Sequence, residues 1–295
     1  MTDIAVEQET FPHRLFVVAG FPRTGTTSIF YNLDNHPSFV TPRLKELNFF
    51  SGKGPLRLAD LDAFFGDVSG RICVDASPFY SLDLNVPDRI RAFAPRSKVL
   101  LLLREPDAWV VSLYRQIAKY TPFGMMSFEA FLEKPVVAGD QISIDISSTQ
   151  GIYRNSVERF ARTFGDDLLV ANFDAFARDP LTLLKRIEQF CGAEAWFDDA
   201  SANVERNNAS VDAGFLSRLI SHLTQWPLVR LITRHMPKAL IRRMQQALYG
   251  STAGRSRPAE LLYVPDGLFA ADKAYYWRLF ESDAVITGRR VLELN

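Results

Sequence analysis

Four short runs of nearly unbroken apolar character, each leading into or out of a helical pattern, limit the folds open to this chain. They are Leu15–Gly20 (LFVVAG), Arg71–Ala76 (RICVDA), Lys98–Leu103 (KVLLLL) and Leu168–Phe173 (LLVANF). A strand with one face in water alternates apolar and polar residues. Runs without that alternation fit parallel strands covered on both faces. Helical spacing follows over Thr26–Asn35, Val86–Phe93, Ala108–Lys119, Tyr153–Phe164 and Leu181–Phe190. Pro87 and Pro106 fall near helix starts, where a missing N–H is not felt. Strand–helix alternation predicts an α/β fold of three layers, with a central, mostly parallel sheet flanked by helices.

Length and composition support one packed unit. The chain has 295 residues, 47% apolar, 12% aromatic and 23% charged, with zero net charge. That composition is far from the polar, self-repelling character of a disordered segment. No repeat or linker interrupts it. The expected organisation is one unit over 1–295: a core at about 14–193, a helical cap at about 206–249, and a C-terminal loop and helix over 250–295. The apolar runs are too short for a transmembrane span. MTDIAVEQET lacks the apolar centre of a signal peptide. Cys73 and Cys191 are the two cysteines, and both sit among apolar residues, so neither a disulfide framework nor a zinc site is expected. A reducing cytoplasm is the default location.

The first strand runs into Gly20-Phe-Pro-Arg23-Thr24-Gly25-Thr26-Thr27-Ser28 and then straight into a helical pattern. Glycines and small hydroxyl residues between a strand and a helix N-terminus build a phosphate cradle. The chain turns tightly, backbone N–H groups converge, and the helix dipole favours an anion. Gly20-x4-Gly25 followed by Thr27 has Walker A spacing, but Thr26 stands where the lysine belongs, which counts against a kinase or ATPase. Positive charge comes from Arg23 instead. A glycine-rich turn without a ligand is the plainer alternative.

Pro22–Ser28 resembles the 5′-phosphosulfate loop of sulfotransferases that use 3′-phosphoadenosine 5′-phosphosulfate (PAPS). A second signature agrees: Arg104 ends the third apolar run and Ser112 follows on the next helix, a spacing similar to that family's 3′-phosphate motif. Alone, Arg104 reads as a strand-end salt bridge and Ser112 as a surface hydroxyl. Lys45-Glu46-Leu-Asn-Phe-Phe, Asp75-Ala-Ser77-Pro78-Phe-Tyr80 and Gly151-x-Tyr153 resemble segments of the carbohydrate (heparan-type) branch, and bacterial members are similar too. The likeness extends over about 14–193, with a weaker match at Gly254-Arg255-Ser-Arg257-Pro258. Where many members carry lysine in the loop, this chain has Arg23.

The resemblance implies a P-loop-like fold and PAPS as sulfuryl donor, with no metal. Arg23, Thr24, Gly25, Thr26, Thr27 and Ser28 would hold the 5′ end, and Arg104, Ser112, Tyr153, Arg255 and Arg257 would complete the nucleotide site. It also implies a base for the acceptor hydroxyl. Glu46 is the first candidate, with surface pairing to Lys45 or Arg43 as the bland alternative. Asp75, near a strand end, is the second, with a capping role as its alternative. The four histidines read otherwise: His13 precedes the first strand, His36 stops the first helix, and His222 and His235 lie in a basic region.

That region, 213–259, holds eight arginines and lysines and no acid, so the remainder of the chain carries a net charge of minus eight. Apolar residues recur there at helical spacing. The readings are a hairpin packed on the core, a lid over the donor with an apolar acceptor cleft, or helices 213–249 in peripheral contact with a membrane. The expected activity is sulfuryl transfer to a hydroxyl of a sugar, lipid-linked or small-metabolite acceptor, with no nucleic-acid partner. Its rivals are a nucleotide kinase with a degenerate phosphate loop and a nucleotide-regulated membrane-surface binding protein. No heptad marks an oligomer interface.

Overall fold

The computed structural model describes residues 10–43, 45–51, 55–120, 127–133, 136–138, 142–144, 151–199, 201 and 262–294. The basic stretch 213–249 that the sequence reading took as helical, with His222 and His235, and Arg255 and Arg257 lie outside the described residues.

Each apolar run of the sequence is a strand. β1 is Leu15–Val18, β2 Phe39–Val40, β3 Ile72–Ala76, β4 Ser97–Leu103, β5 Val136–Ala138, β6 Ile142–Ile144, β7 Leu168–Asn172 and β8 Val285–Thr287. The helices are α1 Thr26–Asn35, α2 Leu58–Phe65, α3 Val86–Phe93, α4 Pro106–Tyr120, α5 Phe128–Glu133, α6 Ile152–Phe164, α7 Phe173–Arg178, α8 Pro180–Cys191, α9 Ala270–Leu279 and α10 Gly288–Glu293. Among the described residues, one sheet has the order β2-β3-β1-β4-β7-β8, and β5 and β6 form a separate antiparallel pair. The sheet is parallel except at β8, which runs antiparallel to β7.

The strands lack alternation because both faces are covered. Leu15 and Val17 of β1, Val99 and Leu101 of β4, and Val170 of β7 enter one core with Trp109, Phe160 and Tyr276. Phe16 and Val18, Leu100 and Leu102, and Leu169 and Ala171 enter the other with Ile29, Leu33 and Ile187. Adjacent residues of one strand therefore belong to opposite layers, the three-layer arrangement expected. Cys73 and Cys191 are free thiols in the two different cores, each pushed up to about 12 by burial.

Three features depart from the sequence reading. β2 adds two residues to the edge beside β3. Over the described residues 262–294 the C-terminal part holds two helices and an edge strand, where the sequence reading had a loop and one helix. The first strand ends at Val18, although the next residues still bond to β4: Ala19 donates to the Leu100 carbonyl at 2.8 Å and Phe21 to that of Leu102 at 3.0 Å. His36 closes α1 as expected. Its ring is also buried: Nδ1 accepts from the Ser38 amide at 3.0 Å, so Nε2 donates to Glu188 at 3.1 Å. Among the described residues no helix is long and apolar enough to cross a membrane, and no cluster of histidine, cysteine, aspartate or glutamate is arranged to hold a metal ion.

β1 and β4 are neighbours whose following helices pack in opposite layers, α1 in one and α4 in the other. Such a divergence opens a crevice at the C-terminal ends of the strands, where α/β sheets bind their ligands.

Candidate active site

The loop from β1 to α1 is set by contacts that restrict residue choice. A Cβ on Gly20 would lie 2.6 Å from the Thr24 hydroxyl and 2.9 Å from Leu102. Gly25 has φ +83°, and a Cβ there would meet the Phe173 ring at 3.0 Å. The buried Thr24 hydroxyl donates to the Phe21 carbonyl at 2.6 Å, stapling the loop. Thr24 therefore offers the cleft its backbone rather than its side chain. The Trp109 indole donates to the Pro22 carbonyl at 3.0 Å, and Phe21 packs on Trp109 and Tyr153. Arg23, exposed at the tip, takes the left-handed backbone normally reserved for glycine, φ +71°.

Gly25 is the N-cap of α1 and supplies no side-chain cap. The first helical bond runs from the Ile29 amide to the Gly25 carbonyl. The amides of Thr26, Thr27 and Ser28 thus have no intrahelical partner and carry the positive end of the helix dipole. Thr26 is buried, Ser28 half-buried and Thr27 exposed.

The two motifs read from the sequence, with Arg23 and Arg104 81 residues apart, meet here. Arg104 reaches the Arg23 carbonyl through Nη1 at 3.5 Å, and Arg23 Nε reaches the Ser112 hydroxyl at 3.4 Å, both long contacts. The Arg104 guanidinium lies 5.0 Å over the Phe173 ring, and its Nε is buried with no hydrogen-bond partner among the described residues. An orphaned guanidinium N–H is costly unless something accepts from it. Tyr153 is fully buried, and its hydroxyl donates to the Arg104 carbonyl at 2.6 Å. It holds Arg104 from behind and does not reach into the cleft.

Glu46 has φ +66°, keeps 42% of its side chain exposed, and pairs with Lys45 at 2.5 Å. Asp75 differs. It is fully buried, and both carboxylate oxygens are engaged, one by the Ser77 hydroxyl at 2.6 Å and the other by the Tyr80 hydroxyl at 2.7 Å. Those hydroxyls in turn accept from the Asn48 amide at 3.1 Å and the Phe50 amide at 3.1 Å. The buried acid therefore pins, through two relays, the loop that carries Glu46. Burial pushes Asp75 up to about 6, opposed by the two hydroxyl bonds and the Lys45 charge, while the Glu46 charge adds to the rise.

Sequence reasoning missed Phe173, Trp109 and the C-terminal residues behind the site. Phe173 carried a weak signal, an aromatic residue at a strand's end. The rest carried none, because their partners are distant in the chain.

No family model matches the chain. Solved structures decide the fold. The sulfotransferase from Alicyclobacillus acidocaldarius superposes with a TM-score of 0.50 at 22% identity, covering 79% of this chain and 97% of that one. The chain has the sulfotransferase fold. Sequence relatives agree with the resemblance read from the two phosphate motifs. Bifunctional heparan sulfate N-deacetylase/N-sulfotransferase 4 of Mus musculus is 23% identical over 217 residues, 68% of this chain and 25% of that protein. Heparan sulfate glucosamine 3-O-sulfotransferase 6 of Homo sapiens is 25% identical over 248 residues, 80% of this chain and 68% of that protein. The chain thus spans a quarter of the first relative's length. In this fold the loop between β1 and α1, Arg104 and Ser112 lie side by side, linked through Arg23.

Proposed function

We propose that this protein transfers the sulfuryl group of PAPS to a hydroxyl of a sugar, lipid-linked or small-metabolite acceptor. The observation that carries the proposal is the meeting of Arg23, Arg104 and Ser112 beside the unpartnered amides of α1, with the Arg104 Nε awaiting an acceptor. These groups suit a nucleotide with phosphates at two ends. The α1 amides and Arg23 take the 5′ end, and Arg104 and Ser112 take the 3′-phosphate.

Sulfuryl transfer resembles phosphoryl transfer in placing two oxygens in line across the moving group, so positioning and charge stabilisation dominate catalysis. As the acceptor O–S bond forms and the S–O bond to the 5′-phosphate breaks, negative charge grows on that phosphate. Arg23, the Thr24–Thr27 amides and the Thr27 hydroxyl neutralise it. Glu46 accepts the proton of the acceptor hydroxyl, and 3′,5′-ADP and a sulfate ester leave. Lys45, bonded to Glu46, orients that carboxylate. Asp75, buried with both oxygens occupied, positions the loop rather than acting on the acceptor.

A thermal-shift series on the full chain tests the reading, followed by transfer of ³⁵S from labelled PAPS into lipid and glycan extracts. Stabilisation by 3′,5′-ADP but not by ATP with Mg²⁺, together with a labelled product, is expected. Stabilisation by ATP with Mg²⁺ alone would favour a kinase. No response to either nucleotide would leave a protein that does not use this donor.

A further inference from the structure

Helix α9 begins 166 residues after Arg104 in the sequence, yet it bonds to all three elements around that arginine. Asp272, 1% exposed, lies in its first turn. Its carboxylate does not cap its own helix. It crosses to the start of α6, where one oxygen accepts from the Gly151 amide at 2.9 Å and the other from the Tyr153 amide at 3.0 Å. The next residue, Lys273, pairs with Asp107 at the start of α4, the helix that carries Ser112. One turn on, the Tyr276 hydroxyl reaches Asp174 at 3.5 Å, the neighbour of Phe173, on which the Arg104 guanidinium rests. The Tyr276 ring also meets the Tyr153 ring at 6.5 Å between centroids.

The chain of contacts runs in one direction. A carboxylate at a helix N-terminus satisfies orphan amides and opposes the dipole's positive end, which fixes the first turn of α6. Tyr153 sits in that turn, and its hydroxyl holds the Arg104 carbonyl at 2.6 Å. The buried Arg104 Nε then points where Tyr153 and Phe173 leave it. Burying a carboxylate is expensive, and Asp272 offsets that cost only through its bonds to α6. A site that had only to close the fold could have used an apolar residue there.

We infer that Asp272 is a positioning residue for the 3′-phosphate grip: through α6 and Tyr153 it fixes Arg104, and so sets the preference for nucleotides that carry a 3′-phosphate. The inference rests on the proposed PAPS reading, and it makes a separate demand. Positioning acts on one phosphate, whereas loss of fold acts on every ligand.

The test is calorimetric titration of the full chain with 3′,5′-ADP and with 5′-AMP, which lacks only the 3′-phosphate. The wild type should prefer 3′,5′-ADP strongly; equal affinities would sink the donor assignment itself and are read before any variant. Arg104→Ala sets the scale, with the preference falling ~10–100-fold, the range of a charged hydrogen bond. Asp272→Asn matches the native side chain in size but has one acceptor where two are used. It should lower the preference severalfold, with 5′-AMP affinity unchanged within about twofold, and Asp272→Ala should lower it by about as much as Arg104→Ala. Tyr153→Phe, which deletes only the hydroxyl, should act in the same direction, and combining it with Asp272→Asn should add little because both act through one contact. If Asp272→Ala does not fold, the Asn and Phe variants decide alone. An unchanged preference, or equal losses for both nucleotides, overturns the inference.

Discussion

Two acids on adjoining segments show how one residue type takes different roles. Glu46 is partly exposed on a left-handed turn, and Asp75 is sealed beneath it. Glu46→Gln keeps the shape and removes the basicity, so cofactor affinity should hold while turnover falls ~10²-fold or more, the usual contribution of a general base. Steady-state kinetics with labelled PAPS measure both, and near-normal turnover would take the role away from Glu46. Asp75 predicts a stability effect instead. Burial raises it from the ordinary 3.8 to about 6, so between those values the folded chain holds a proton that the unfolded chain releases. Stability therefore falls as pH rises through that window, by about 3 kcal/mol for a rise of roughly two units. Urea unfolding of the wild type and Asp75→Asn at pH 4 and pH 7 checks the sign: the wild type should lose ground to the variant with rising pH. Parallel profiles would show that the carboxyl is not buried in the folded chain as described.

At the scale of elements, the loop between β1 and α1 keeps its shape because glycine stands where the backbone must turn left and pass a ring. Gly25→Ala would place a Cβ at φ +83°, 3.0 Å from Phe173. The left-handed conformation costs about 1–2 kcal/mol for a residue with a side chain, and the displaced ring would carry Arg104 with it. Lower thermal stability together with weaker binding of 3′,5′-ADP is expected. A variant that loses stability and keeps full affinity would separate the loop from the site. This element was readable in the sequence, since the spacing Gly20-x4-Gly25 and the absence of a Walker lysine are local facts. α1 was read to the residue and α3 closely, because apolar spacing and helix-start signals lie within a few positions of each other. Strand β2 was not: two residues pairing with β3 leave no period to detect.

The whole molecule is closed by its C-terminal part. β8 covers the edge of β7, and α10 packs against the start of that strand, the end away from the phosphate loop. A Cβ on Gly288 would lie 2.5 Å from the Gly165 carbonyl, so α10 would have to shift. Gly288→Ala should cost on the order of 1–3 kcal/mol, the range for overpacking, with 3′,5′-ADP affinity intact. Differential scanning calorimetry and titration read the two separately, and a loss of affinity would mean that the two ends of β7 are coupled. The sequence by itself determined the layers and the glycine-hinged loop between β1 and α1, because unalternating apolar runs and glycine spacing follow from forces acting between near neighbours. The tertiary structure alone decided that Asp75 is occupied from both sides, that Tyr153 serves Arg104 from behind, and that a helix near the C-terminus anchors the elements around it. Those facts depend on which distant groups share a low-dielectric interior, and no local pattern records a partner 121 residues away.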